Sequence, residues 1–249
     1  MTVQFIHQVI YYLQTSFIMK KLLFLMVALL MAASSWAQDC AGYYYLLNNA
    51  EVEMTVYDAK GTASGKTIYK VSNVHKEATG TVSDFTATIY DKSNRMITTS
   101  EGRFKCSGDG VAVDMKVGMP SMSQLKDLKM EAKTTNSFLD YPASMHVGQE
   151  LKGGAFEMAG NVSGMDVSVN YAISNRKVAG KEKITTPAGS WDCYKISYDL
   201  SFKMQMMGTG VPMKLNAVEW FAPGFGVVKT LSYMDGKEAG GTLITKFKK

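Results

Sequence analysis

From Tyr194 to Met206 large apolar residues occupy every second position, and small, polar or charged residues fill the positions between. One side reads Tyr194, Ile196, Tyr198, Leu200, Phe202, Met204, Met206; the other reads Lys195, Ser197, Asp199, Ser201, Lys203, Gln205. A period of two held this long specifies a β-strand with one buried and one wetted face. At roughly 3.3 Å per residue the run spans about 43 Å, well over twice an ordinary strand. A strand of that length coils around an interior rather than crossing a small sandwich.

The same alternation recurs along the chain. It is carried by Val52, Met54 and Val56; by Phe85, Ala87 and Ile89; by Val111, Val113, Met115 and Val117; by Val167, Val169, Tyr171 and Ile173; and by Val211, Met213, Leu215 and Ala217. Turn signals separate the runs, among them Ser93-Asn94, Ser107-Gly108-Asp109-Gly110, Pro187-Ala188-Gly189 and Asp235-Gly236. Strands joined by short turns favour antiparallel pairing. The expected fold is all-β: a long curved antiparallel meander of about ten strands, forming a half-barrel or open barrel. One stretch departs from it. Ser121 and Gln124 have the spacing of a capping box, and Met122, Leu125, Leu128 and Ala132 recur at helical intervals. They predict one short amphipathic helix, about residues 122–132, crossing between two groups of strands.

The beginning of the chain reads as an export signal. Lys20 and Lys21 precede an unbroken apolar run, Leu22 to Ala33, and Ser35-Trp36-Ala37 offers a small-x-small cleavage site before Gln38. Met19 stands directly before the lysines, so residues 1–18 are expected to be an upstream extension. The run is short for a spanning helix, which favours cleavage over a retained anchor. Cys40 follows Asp39 rather than a small residue, which argues against a lipidated cysteine. A single exported β domain is thus expected over residues 38–249, located in the periplasm or outside the cell. That part keeps 25 basic and 22 acidic residues, a net charge of about +3, with no basic block. Nucleic-acid binding is unsupported, and no stable membrane span is expected after cleavage. Its three cysteines, Cys40, Cys106 and Cys193, allow three pairings or none, and their spacing favours no metal or redox motif.

Catalytic signals are absent. His75 and His146 stand alone, no HExxH or GxSxG occurs, and no metal or cofactor is implied. Gly61-Thr62-Ala63-Ser64-Gly65-Lys66-Thr67 imitates a phosphate loop but has three residues between its glycines instead of four. Thr67, Tyr69 and Val71 then continue as a strand rather than a helix, so the segment reads as a hairpin turn. The chain is not read as an enzyme. Glu219 continues the apolar phase of Met213, Leu215 and Ala217. Pointing inward, it would partner a Lys or Arg or anchor a ligand head group; the simpler expectation is a register shift over Val218 to Trp220 that leaves Glu219 in water.

Methionine is in excess, with fourteen of the 18 lying beyond residue 37. Unbranched and polarizable, Met re-packs easily against flexible apolar partners. Together with the long strand, this predicts a wall that binds an apolar or amphipathic, lipid-like molecule. The expected lining is Tyr171, Ile173, Tyr194, Ile196, Tyr198, Leu200, Phe202, Met204, Met206, Met213, Leu215 and Phe221, with Met122 and Leu125 on a helical lid. The alternative is a structural or protein-interaction module of the envelope in which the same face is a dry core.

Two segments carry a family likeness. One is Asn175-Arg176-Lys177 continuing through Thr186-Pro187-Ala188-Gly189-Ser190-Trp191-Asp192-Cys193-Tyr194-Lys195. The other is Glu219-Trp220-Phe221-Ala222-Pro223-Gly224-Phe225-Gly226-Val227-Val228-Lys229. The chain from about Ala50 onward resembles the TapB-like exported proteins of Gram-negative bacteria, whose function is unassigned. The resemblance implies a curved antiparallel sheet similar in outline to the half-barrels of periplasmic lipoprotein carriers. It implies no catalytic residue. Both segments read as turn-and-strand devices with a structural role.

Overall fold

The long alternating run is strand, and so is nearly everything around it. In a computed structural model the residues described are 40–115, 131–132, 137–162 and 165–249. They form β1 (Glu51–Asp58), β2 (Ala63–Glu77), β3 (Gly80–Asp91), β4 (Met96–Ser107), β5 (Gly110–Asp114), β6 (Glu131–Ala132) and β7 (Phe138–Pro142). These are followed by β8 (Glu150–Leu151), β9 (Gly154–Val162), β10 (Met165–Thr186), β11 (Gly189–Met206), β12 (Pro212–Ala222), β13 (Gly226–Met234) and β14 (Lys237–Lys248). The count exceeds the expected ten partly because β6 and β8 have two residues each, too few to show a period. All the pairings are antiparallel, in the order β6-β9-β10-β11-β12-β13-β14-β1-β2-β3-β4-β5-β7, with β8 also on β10. The sheet curls into a nearly closed barrel with one unsealed seam, where β7 approaches the start of β9. A Cβ added to Gly154 would lie 2.5 Å from Met115 Sδ and 3.4 Å from the Phe138 carbonyl oxygen.

The helix expected over 122–132 lies outside the described residues as far as Met130. Its last two positions, Glu131 and Ala132, are strand: they pair with Ala159 and Met158 of β9. Ladder hydrogen bonds offered by that open edge outweigh helical spacing there. The turn before β2 is as expected, with Asp58 Oδ1 accepting from the backbone N–H of Lys60 and Thr62.

Inside the barrel, directly paired positions stack in apolar rows such as Tyr171–Phe202–Met213 and Ile173–Leu200–Leu215. One end is filled by a segment that precedes the sheet. Tyr43, Tyr44, Tyr45 and Leu46 are all buried; Tyr44–Leu46 form a 3-10 turn, and an extended Tyr43 joins it to a first such turn over Cys40–Gly42. Tyr45 lies 4.4 Å from Phe104 between ring centroids, and Tyr43 lies 6.1 Å from Phe221. Ser83 donates its hydroxyl hydrogen to the Tyr45 carbonyl, and the Val227 N–H donates to the Tyr45 hydroxyl oxygen. A disulfide between Cys40 and Cys106 ties this plug to β4 and leaves Cys193 as a buried free thiol.

The two segments that carry the resemblance meet beside the plug. Trp191 packs 4.7 Å from Phe225, and Phe225 packs 5.3 Å from Tyr44. Gly226 adopts φ +134°, and a Cβ there would sit 2.7 Å from the Tyr44 ring and 2.8 Å from the Tyr45 ring. Only glycine fits both the backbone and the space.

Candidate functional site

An irregularity in β10 sets the chemistry of the interior. Asn175 has φ +52°, and the pairing of β10 with β11 slips between Ser174 and Lys177. This is a β-bulge, held on the outer face by Asp199, whose oxygens accept from Asn175 Nδ2 and Asn216 Nδ2 at 2.7 Å each. One extra residue reverses the alternation. Tyr171 and Ile173 point inward before the bulge; Arg176 and Val178 point inward after it.

Arg176 therefore enters the core, and it arrives at the seam. Its Nη1 donates to the carbonyl of Asp140 on β7 at 3.0 Å and to that of Lys152, just after β8, at 2.9 Å. One guanidinium thus spans both margins of the open barrel. Nη2 donates to Glu219 Oε1 at 3.3 Å, and the Tyr141 hydroxyl donates to Glu219 Oε2 at 3.0 Å. The guanidinium carbon lies 4.7 Å from the Tyr141 ring centroid, an arrangement favourable to a cation. Among the described residues Arg176 Nε has no hydrogen-bond partner. A cleft of about 760 Å³ follows the seam, between Asp140 and Tyr141 on one side and Gln149, Leu151 and Lys152 on the other.

Glu219 does not face water. It is 5% exposed, and β12 runs from Pro212 to Phe221 against β11 with no register shift, pairing Glu219 with Ile196. The expected slip at Val218–Trp220 is absent on that side because every rung of the ladder is filled. Burial raises the Glu219 pKa above the usual carboxylate range, while Arg176 and Tyr141 offset part of that rise. Burial, and next the Glu219 charge, push the hydroxyls of Tyr141 and Tyr198 well above a normal phenol. These groups clamp and neutralise one another. Among the described residues, no group of three or more His, Cys, Asp or Glu side chains gathers that could hold a metal ion.

The expected lining residues of β10, β11 and β12 do share the inner face, but their exposure is graded. Ile196 and Phe221 are fully enclosed, Tyr171, Phe202 and Ile173 are buried, and Tyr194, Tyr198, Leu200, Met204, Met213 and Leu215 are half-buried. Met206, at the end of β11, is 43% exposed. Met122 and Leu125 lie outside the described residues. Sequence reasoning missed Arg176 and the Tyr43–Leu46 plug. The plug had one signal, an apolar run directly after Cys40.

An antiparallel barrel, plugged by aromatics at one end and clamped at its seam by a buried ion pair, places this chain among the all-β domains. The chain belongs to the DUF3108-like family, whose model matches residues 49–243. Its fold is that of two solved structures. One is a candidate lipoprotein of Parabacteroides distasonis, with 19% identity, 85% of this chain and 100% of that one covered, and a TM-score of 0.69. The other is a candidate exported protein of Bacteroides fragilis with a YmcC-like fold, with 18% identity, 82% and 97% covered, and a TM-score of 0.66. The TapB-like name is not confirmed. No curated protein matches the chain.

Proposed function

We propose that this chain is a non-catalytic exported β-domain that holds an apolar or amphipathic, lipid-like molecule at the open end of its barrel, within the cell envelope. The observation that carries the reading is the gradient along one face. The inner face of β11 is closed at Ile196 and Phe202 and open at Met206, and Val211, just before β12, is 88% exposed. The half-buried Met204 and Met213 lie between. A flexible apolar wall that emerges from a packed core suits a flexible apolar guest. Export is supported by the leader-like pattern before Gln38 and by the descriptions of the two structural neighbours.

The test is to purify the protein from the envelope, extract it with organic solvent and measure bound lipid by mass spectrometry. Stoichiometric lipid that is lost in Met204→Glu and Met213→Glu variants is the expected result. Lipid-free wild-type protein refutes the reading. Phe202 is a poor target, because it is enclosed in the core and a charge there unfolds the barrel. A second reading, an interaction module with a dry interior, is favoured by the closure of Tyr171, Ile173, Ile196, Phe202 and Phe221. It predicts no extractable lipid.

A further inference from the structure

On strands β9 to β12 every methionine lies toward the end of the sheet away from the plug. Near the plug the inner positions are filled by residues such as Val178, Ile196 and Phe221; at the other end they become Met158, Met165, Met204, Met206 and Met213. Pairing places all five on the inner face. Val169 sits between Met158 and Met204, Val167 pairs with Met206 and lies two residues from Met165, and Met213 pairs with Phe202. β-branched and aromatic residues are the usual choice for such positions, so a local run of thioethers calls for a reason beyond strand formation.

Met204 is the centre of the group. Met206 follows it by two residues on the same strand, about 6.6 Å away at strand rise. Met213 stands diagonally across on β12, a separation of roughly 7–8 Å that long side chains close. With flexible, unbranched side chains, the three sulfurs can meet beside Met204. Met204 and Met213 are half-buried and Met206 is 43% exposed, so the sulfurs are reachable without opening the core.

The charges at this end of the sheet lie on its other side. Glu157, Asp166, Lys203 and Lys214 take the opposite phase of their strands from the methionines and face outward. Among the described residues of these strands, the inner face here carries neutral side chains alone. Neutral thioethers do not hold hard ions such as Mg²⁺ or Ca²⁺, which take oxygen. No His, Cys, Asp or Glu group gathers among the described residues to hold Zn²⁺. Thioether sulfur is a soft donor, and soft donors select Cu(I).

We propose that Met204, Met206 and Met213 bind one Cu(I) ion at the open end of the barrel. The inference goes beyond the capture of an apolar molecule and does not depend on it: that reading draws on the apolar surface of these residues, and this one on their sulfur.

The test titrates Cu(I) anaerobically against the chromophoric chelator bicinchoninate, with protein purified from the envelope. The wild type is expected to withdraw one equivalent, and so is Cys193→Ser, which lacks the one free thiol among the described residues. Met204→Leu/Met206→Leu/Met213→Leu keeps the apolar surface and removes the sulfur, and a cooperative urea transition shows that it is folded. Its Cu(I) affinity is expected to fall by more than the roughly 10–100-fold that loss of a mere supporting contact costs. Met96→Leu/Met234→Leu, exposed elsewhere, leaves binding intact. Should the triple variant fail to fold, Met206→Leu alone is expected to bind more weakly, and the X-ray absorption spectrum of Cu(I)-loaded Cys193→Ser is expected to show copper surrounded by sulfur alone. Wild-type protein that takes no Cu(I) from the chelator overturns the proposal. So does a folded triple variant or a Met206→Leu variant that binds as well as wild type, or copper held by nitrogen or oxygen. Loss of binding in Cys193→Ser overturns it too, by assigning the metal to the thiol.

Discussion

Removing the Glu219 carboxylate while leaving Arg176 in place probes the seam clamp most directly. The Arg176 side chain is fully buried, and Glu219 accepts from its Nη2. In Glu219→Leu the guanidinium stays buried without that carboxylate, and breaking a buried pair in this way costs about 3–5 kcal/mol. That is a large part of the roughly 5–15 kcal/mol that holds an ordinary domain folded. Arg176→Met has a different penalty, because it deprives two carbonyls, those of Asp140 and Lys152, of their donor across the seam. The double variant Arg176→Met/Glu219→Leu leaves no buried charge at the clamp. Its cost is expected to fall short of the sum of the single costs by about 1–3 kcal/mol, the coupling typical of residues in one network. Urea unfolding followed by tryptophan fluorescence measures all three, with the slope checked for constancy. A Glu219→Leu cost within about 0.5 kcal/mol of wild type, as for an ordinary surface substitution, refutes a buried clamp. Strict additivity refutes the coupling.

The same carboxylate gives a pH signature. Burial raises the Glu219 pKa, so the folded protein takes up its proton more readily than the unfolded chain. The penalty for charging Glu219 is absent below the ordinary carboxylate pKa and complete above the folded-state value, so this contribution to stability declines as pH rises between them. Glu219→Gln is expected to remove that declining limb from a plot of unfolding free energy against pH; an unaltered limb assigns it to other groups. Cys40→Ser/Cys106→Ser opens a loop with a sequence separation of 66, worth about 4 kcal/mol by chain entropy. Its urea midpoint is expected to fall, and the Tyr43–Leu46 segment is expected to become the first site of limited proteolysis; an unchanged midpoint would mean that the plug holds without its tether. Gly226→Ala presses a methyl against the Tyr44 and Tyr45 rings and strains the backbone. A loss of about 1–3 kcal/mol with an altered near-UV tyrosine signal is expected, and wild-type stability would show that the plug yields freely. Burial first, then Asp192 and Glu182, push the Cys193 thiol up to about 11. It is expected to resist a thiol reagent at pH 8 until denaturant is added, whereas prompt native labelling would place it at the surface.

The sequence made β11 plain because its whole length obeys one period and its inner face meets a core. Arg176 was hidden for the opposite reason. Read without a bulge, Ile173, Asn175 and Lys177 share a face, and Arg176 falls among the wetted residues. Only the tolerance of Asn175 for a left-handed backbone hints otherwise. Glu219 was ambiguous because its partner lies 43 residues away, and no local pattern announces a non-local pair. For the plug, the apolar run Tyr43–Leu47 was visible while its destination was not, since Cys106 was one of two candidate partners for Cys40. The helical spacing near Glu131 failed at its end because pairing with β9 is decided by tertiary context rather than by propensity.

The two ends of the barrel divide the labour. The residues that carry the family likeness, Trp191, Phe225 and Gly226, all serve the closed end, where Phe225 and Gly226 pack against the tyrosines and Trp191 packs on Phe225. Eighteen-residue β11 connects that end to the other, where Met206 and Met207 stand in water. Over 15 residues from Trp191 the strand covers about 50 Å at ordinary rise, so side chains at the open end are remote from the plug and free of its packing constraints. On the proposed reading, fold and function draw on separate parts of the sequence. Substitutions at Met206 and Met207 are expected to change the lipid bound while leaving the unfolding midpoint in place, and substitutions around Gly226 are expected to do the reverse. Paired measurements of bound lipid and stability on both sets decide the matter, and a single set that moves both readouts together refutes the separation.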